Sequence, residues 1–355
     1  MKVLFVNNVA SMQTITALGM NNFDNIESKC LIFTKNKYST TNEVTVFEEI
    51  YRPAINPFKV IRSAKLLLTQ KRRIQNWFDW ADIIHYAWGP IFKSGKDLKW
   101  AKKTGKPIFV EWVGSDIRDI QYLCEINPHF NNNFEIIYKV RKIATKRVRK
   151  YLSQFNNVQA IPTLCPEMSL FVDKKMFPNQ KSLFQRINLT AFKLQLPKLD
   201  SSKPLIIHSP TSPILKGTQF VLEVISKLKK NYDFEFKLVT NMTRAEALEI
   251  MQKADIFIDQ LILGSYGMSS IEAMSFGKPV MTYIMPKVFE AGLPNECPIV
   301  NTNPTNLEGN LIALITDAKL RHELGALGRA YVEKYHDNSV VIPQMLSWYK
   351  KTLIK

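Results

Sequence analysis

The sequence predicts an α/β protein built from two layered domains in series. Three observations carry this. Short apolar runs of strand length alternate with longer stretches of helical period along the whole chain. The first of these runs is continuous rather than alternating, as in parallel strands buried on both faces. At 355 residues, 46% of them hydrophobic, the chain has about two domains' length and enough apolar mass to fill their cores.

In chain order, KVLFV (2–6) is the first strand. KCLIF (29–33), ADIIHY (81–86), KPIFVEWV (106–113) and NVQAIP (157–162) follow, with helices expected near 58–79, 94–104 and 133–153. QLPKLDSSKP (195–204) reads as a linker from its prolines, serines and mixed charge. A second series begins with strand PLIIHS (204–209), helix 217–230, strand FEFKLVT (234–240), a helix near 243–253 and strand ADIFIDQ (254–260). Further helices are expected near 305–315, over 320–335 and over 340–354, the last interrupted by a proline. The expected division is a first domain over 1–198, a second over 199–336, and a helix over 337–355 that could return to the first. Ligands of such sheets bind beyond the carboxyl ends of the strands.

The net charge of +17 asks for an anionic partner: nucleic acid, a phosphorylated small molecule or an acidic membrane surface. No zinc-finger spacing or RNA-binding aromatic signature is present, so nucleic acid is not expected. No apolar run reaches the roughly 18 residues of a membrane span, and MKVLFVNNVAS reads as a buried strand rather than a signal segment. The four cysteines, Cys30, Cys124, Cys165 and Cys297, lack metal-ligand spacing and suit a reducing, cytoplasmic setting. Much of the charge is local. KVRKIATKRVRK (139–150) carries seven Lys or Arg around an apolar face, and KVIRSAKLLLTQKRR (59–73) is similar. Such helices could lie on anionic lipid, giving a peripheral position on the inner membrane face, or could be solvated back faces.

The densest stretch is GSYGMSSIEAMSFGKPVMTYI (264–284). It reads as turn, short apolar helix, turn and strand. Ser269 and Glu272 have the spacing of a capping box, and Gly277 stands where a helix ends in the left-handed region. Gly264 and Gly267 bracket Tyr266, so the backbone can turn tightly against a ligand. N–H groups from Met268 to Ile271 would then leave a helix N-terminus just after a strand, an anion site by geometry and dipole. Glu272 beside it could accept from sugar hydroxyls, and phosphate plus diol suggests a nucleotide or sugar nucleotide. In HSPTSPILKGTQF (208–220), Lys216 opens a helix, a position that suits a cation only if it faces an anion.

ILKGTQF, ADIFIDQ, GSYGMSSIEAMSFGKPV and LGALGRAYVEKYHD together resemble the donor domain of retaining glycosyltransferases of family 4, which have the two-domain GT-B fold. DIIHYAWG and VGSDIR resemble the acceptor domain of that family. The resemblance implies two Rossmann-like α/β domains facing a central cleft, and a retaining, metal-independent transfer with no cofactor beyond the donor substrate. It implies that Lys216 contacts the donor diphosphate and that Glu272, the second glutamate of the family's E-x7-E pattern, holds the ribose. Tyr266, Gly267, Met268, Ser269, Ser270 and Thr211 would line the donor, with the nucleobase near Thr240, Asn241 and Met242. Asp116 and His85 join Lys216 as candidate catalytic groups at strand ends, and Trp88, Gly114, Ser115 and Arg118 stand on the acceptor side. His85 has a core role as its alternative, Asp116 an N-cap role, and Arg118 either pairs with Asp116 or meets an anionic acceptor.

The expected partners are a nucleotide sugar and a glycan or lipid-linked acceptor of bacterial-type surface polysaccharide or glycolipid synthesis, with anionic membrane a further option. Three departures bear on activity. Gly264 stands in place of the first glutamate of the pattern, residues 209–215 hold no arginine, and Val113 replaces a histidine before Gly114. Gly264 and the missing arginine motivate one alternative, a nucleotide-sugar-binding module without transfer; a sugar-nucleotide epimerase on the same fold is another.

Overall fold

The computed structural model describes residues 1–32, 47–49, 60–131 and 138–354, with side-chain surroundings over 1–32, 70–131 and 145–354. The first half runs β1 (Lys2–Val6), α1 (Met12–Met20), β2 (Glu27–Ile32), β3 (Phe47–Glu49), α2 (Val60–Trp80), β4 (Ile83–Ala87), α3 (Lys96–Lys103), β5 (Ile108–Trp112), α4 (Ile120–Ile126), α5 (Pro128–Asn131), α6 (Tyr138–Asn157), β6 (Ile161–Leu164), α7 (Pro166–Ser169) and β7 (Lys181–Ser182). The second runs β8 (Leu205–His208), α8 (Pro213–Lys216), α9 (Thr218–Leu228), β9 (Glu235–Leu238), α10 (Arg244–Lys253), β10 (Ile256–Ile258), α11 (Met268–Ser275), β11 (Val280–Thr282), α12 (Pro286–Glu290), β12 (Val300–Asn301), α13 (Leu307–Thr316), α14 (Ala318–Tyr335) and α15 (Asn338–Leu353).

The chain forms two compact units. The first takes Met1–Asp119, Ile143–Leu183 and Val341–Lys355; the second takes Ile120–Lys142 and Phe184–Val340. In the first, the described strands are ordered β3-β2-β1-β4-β5-β6-β7, every pairing parallel. The order reverses between β1 and β4, where Phe5 stands opposite His85. β4 and β5 are buried along their whole length, as expected for central strands covered on both faces. One wall of this core comes from the end of the chain: Ile342, Met345 and Tyr349 pack with Val3, Phe5 and Phe109.

In the second unit the order is β12-β11-β10-β8-β9, again all parallel. Here the reversal lies between β8 and β10, where His208 pairs with Ile258. Edge strand β9 alternates exposed Glu235 and Lys237 with half-buried Phe236 and Leu238, the pattern of a strand covered on one face.

The structure corrects several boundaries. NVQAIP is not a strand throughout. α6 runs to Asn157, the chain turns with Gln159 at φ 56°, and β6 starts at Ile161. The backbone bonds from Val158 and Ala160 back to Phe155 finish a helix end there. The linker reading of 195–204 also fails, because both flanks belong to the second unit. Its carbonyls are taken up by side chains: Gln195 by Lys278 at 2.5 Å, Pro197 by His322 at 2.9 Å and Ser201 by Arg321 at 2.5 Å. Proline and serine removed regular structure from this stretch but not its contacts.

The basic segments 59–73 and 139–150 fall mainly on α2 and α6. Lys71, Arg72 and Arg73 are exposed, as are Lys146, Arg149 and Lys150, with Val148 buried. The side chains of 59–69 and 139–144 lie outside the described residues. No described helix is long and apolar enough to cross a membrane.

Candidate functional site

The candidate site of the second unit lies at the carboxyl ends of β8 and β10, the switch point of its sheet. β10 ends at Ile258, and the next residue, Asp259, is only 1% exposed. Its Oδ1 is ion-paired with Lys216 Nζ, and its Oδ2 accepts from Ser270 Oγ at 2.6 Å. Thr282 Oγ1, at the end of β11, lies 3.3 Å from Ser270 Oγ. Lys216 closes the single turn of α8, and Gly217 at φ 74° carries the chain into α9. Its Nζ also reaches Ser269 Oγ at 3.4 Å, on the first turn of α11.

α11 does not begin as the capping-box reading expects. Its N-cap is Gly267, in extended backbone, and no side chain caps it. Ser269 is already inside the helix, and the N–H groups of Ser270 and Ile271 turn back to Gly267 O at 3.1 and 3.2 Å. The Met268 and Ser269 N–H groups have no partner among the described residues. A Cβ added at Gly267 would meet nothing within 4 Å, so the space next to this helix end is open. Unpaired N–H groups facing a void, with an ammonium beside them, can take an anion.

Glu272 is bound elsewhere than in a cap. Its Oε1 receives Arg244 Nη2 at 2.6 Å and Nε at 3.1 Å, and the side chain is 13% exposed. Burial pushes its carboxyl pKa up, and Arg244 opposes this. Oε2 accepts no hydrogen bond among the described residues. Arg244 is the first residue of α10, whose start is fixed by a capping box between Thr243 and Glu246. Just before it, Thr240 and Asn241 are exposed and Met242 is half-buried, with Asn241 at φ 58°. Thr211 is exposed in the loop between β8 and α8.

Tyr266 is corrected from a donor contact to a structural residue. It is 4% exposed, and its hydroxyl meets Tyr331 OH at 3.1 Å and His336 Nε2 at 3.0 Å. This fastens the loop ahead of α11 to the end of α14. Gly264 has φ +87°, and an added Cβ would fall within contact distance of Met285 Cγ and 2.9 Å from Asn127 Nδ2. Asn127, fully buried, donates at 2.8 Å to Ile262 O. Position 264 is shaped for glycine, so the glutamate of the family pattern has no room there.

The first-unit candidates are also redistributed. His85 is fully buried in mid-sheet, its Nδ1 2.5 Å from Tyr349 OH, its Nε2 3.3 Å from Thr163 Oγ1 and its ring stacked on Phe5. It is a core histidine, because β4 is the central strand beside β1 and is covered by α15. Asp116 is fully buried and accepts from Val113 N at 3.1 Å and Gly114 N at 2.7 Å. No helix begins there; the carboxylate closes a turn, and burial pushes its pKa up to about 6 against those bonds. Arg118 Nε donates to Glu167 Oε1 at 2.8 Å, so its ion-pair partner is Glu167 rather than Asp116. Gly114 is buried, and exposed Ser115 gives its carbonyl to Arg147. Trp88, half-buried at φ 72°, ends β4. Among the described residues no three His, Cys, Asp or Glu side chains gather as a metal site would need.

Sequence reading missed Asp259 and Arg244. Each had a signal: an acid just past the carboxyl end of a strand ahead of the glycine loop, and the first residue after the cap in T-x-x-E.

Two buried histidines set a pH dependence. His208 donates through Nδ1 to Ile258 O at 2.9 Å and accepts from Thr218 Oγ1 at 2.9 Å; burial pushes its pKa down to about 4. Burial does the same to His336, also to about 4. The unfolded chain takes up these protons at ~6.5. Stability therefore falls as the pH drops from ~6.5 towards 4. Asp116 acts in the opposite sense between about 6 and ~3.9, since its folded form protonates first. Asp97 and Glu272, whose carboxyl pKa burial also raises, act with Asp116, while the lowered Glu246 and Glu296 act with the histidines, so the histidine part is read as the difference between wild type and a variant. In denaturant melts from pH 7 to 4, wild type should lose more stability than His208→Gln.

No family model and no curated protein matches the sequence. Solved structures match its fold. Anabaena HepE, crystallised with UDP-glucose, superposes with TM-score 0.65 at 12% identity over 99% of this chain and 100% of that one. Sucrose-phosphate synthase from Thermosynechococcus elongatus gives TM-score 0.65 at 12% identity, covering 99% of each chain. A glycosyltransferase from Rickettsia africae gives 0.63 at 15%, over 100% of this chain and 98% of that one. With both parallel sheets accounted for over the full length, the chain has the GT-B fold of these structures.

Proposed function

We propose that the protein is a retaining glycosyltransferase that moves a sugar from a nucleotide diphosphate-sugar to a glycan or lipid-linked acceptor. The observation that carries this is the open N-terminus of α11, with two unpartnered N–H groups, the Lys216 ammonium beside it and a half-buried carboxylate, Glu272, one turn on. Diphosphate would lie against the N–H groups and Lys216, and a ribose hydroxyl would donate to Glu272 Oε2. HepE was crystallised with UDP-glucose and, in another crystal, with UDP, which favours a uridine donor here.

In the transfer, the bond from the anomeric carbon to the phosphate oxygen breaks, a bond to an acceptor oxygen forms on the same face, and the acceptor hydroxyl's proton passes to the leaving diphosphate. The leaving diphosphate gains negative charge, which Lys216 and the helix end stabilise more in the transition state than before it. No metal is assigned to this step, and no protein nucleophile. Membrane contact through the basic segments 59–73 and 139–150 would suit a lipid-linked acceptor.

Nucleotide-sugar binding without transfer is the second reading, favoured by glycine at 264 and by the occupation of Lys216 by Asp259. A thermal-shift panel of UDP, GDP, ADP and CMP with their sugars, followed by release of sugar from any hit, tests both. One nucleotide series should raise the melting temperature by mass action and be slowly hydrolysed. A shift without hydrolysis or acceptor-dependent transfer would favour the binding module. No shift with any nucleotide would remove the donor site itself.

A further inference from the structure

Among the described residues, two cations of this site are each paired with a buried or half-buried carboxylate: Lys216 with Asp259 and Arg244 with Glu272. His208 of β8 donates to a carbonyl through Nδ1, and its other nitrogen faces a hydroxyl, so it adds no charge at neutral pH. Within this set of groups the charges cancel, and what they offer an anion is N–H dipoles and the remaining donor capacity of Lys216.

Asp259 is the unusual member. It is anchored by Ser270 on α11 and by Lys216 at the end of α8, both beside the open helix end. Any phosphate sharing Lys216 with it would stand about two hydrogen-bond lengths away, roughly 5–6 Å. Over that distance inside a protein each added ligand charge is felt strongly.

Resting on the nucleotide-sugar reading, we propose that Asp259 is a specificity-determining residue that favours the intact donor over the nucleoside diphosphate left after transfer. The two ligands differ by the ionisation of the terminal phosphate. In the nucleotide sugar that phosphate is a diester, and its charge is constant. In the free diphosphate it is a monoester that takes a further negative charge above pH ~6. That extra charge faces the Asp259 carboxylate, which already shares Lys216, so the product is held less tightly than an unpaired Lys216 would hold it.

Calorimetry with UDP and UDP-glucose tests this, without a variant in its first arm. For the wild-type chain, the affinity for UDP relative to UDP-glucose should fall several-fold between pH 5.5 and pH 8. A net-cationic site would show the opposite slope. Asp259→Asn should shift the ratio at pH 8 towards UDP by about tenfold. The double variant Lys216→Met with Asp259→Asn, which buries no charge, should bring the ratio back towards wild type. Equal weakening of both ligands in Asp259→Asn, with an unchanged ratio and a flat wild-type pH profile, would reduce Asp259 to a support for Lys216 and overturn the proposal. If neither these ligands nor their GDP and ADP counterparts bind the wild-type chain, the nucleotide-sugar reading fails first and this proposal with it.

Discussion

Lys216→Ala should lower turnover by about 10²–10³-fold, the effect of removing one donor aimed at developing charge. It should also cost stability, because Asp259, 1% exposed, loses its ion-pair partner. Breaking a buried pair in this way costs about 3–5 kcal/mol. The two effects separate in the double variant with Asp259→Asn. Removing the stranded carboxylate should recover most of the melting temperature while turnover stays low. If activity returned with stability, Lys216 would be a structural cation only, and the transition-state role would have to be withdrawn.

Gly264→Glu, which would restore the family glutamate, should inactivate and destabilise rather than improve the protein. The residue has φ +87°, a region that costs an L-residue about 1–2 kcal/mol. The new side chain must also displace Met285 and the Asn127 amide, whose Nδ2 lies 2.9 Å from the Cβ position. Overpacking of this kind costs about 1–3 kcal/mol. A total of about 2–5 kcal/mol should appear in denaturant melts of the variant. Gly264→Ala should show most of the loss, since the clash begins at Cβ. A variant as stable as wild type would mean that the loop can move aside, and the missing glutamate would then be a matter of selection rather than of space.

How far the site could be read from the sequence depended on how local each feature is. Gly277 was legible because a glycine after a short helix has one ordinary use, and it does sit at φ 78°. The position of α11 after a strand was legible for the same reason. The cap was not: serine two residues past a glycine is a good cap in isolation, but extended Gly267 starts the helix earlier and puts Ser269 inside it. Glu272 stood out in the sequence as an acid beside the helix start, while its partner Arg244 did not, since the pair is made across two helices 28 residues apart. His85 misled because a polar residue near a strand end suggests a site, whereas its strand is the central one of the sheet and is covered by helix α15. Sheet order and long-range cover are not written in any short stretch.

The contribution of Val341–Lys355 to the first unit has a consequence for synthesis. Ile342, Met345 and Tyr349, which close the core of that unit, follow every residue of the second unit in the chain. During synthesis the strands of the first unit therefore leave the ribosome well before the helix that covers them, and the apolar faces of β1 and β5 wait uncovered while the second unit is made. A chain released within α15, after Val340, lacks cover on its first unit although its second unit is whole.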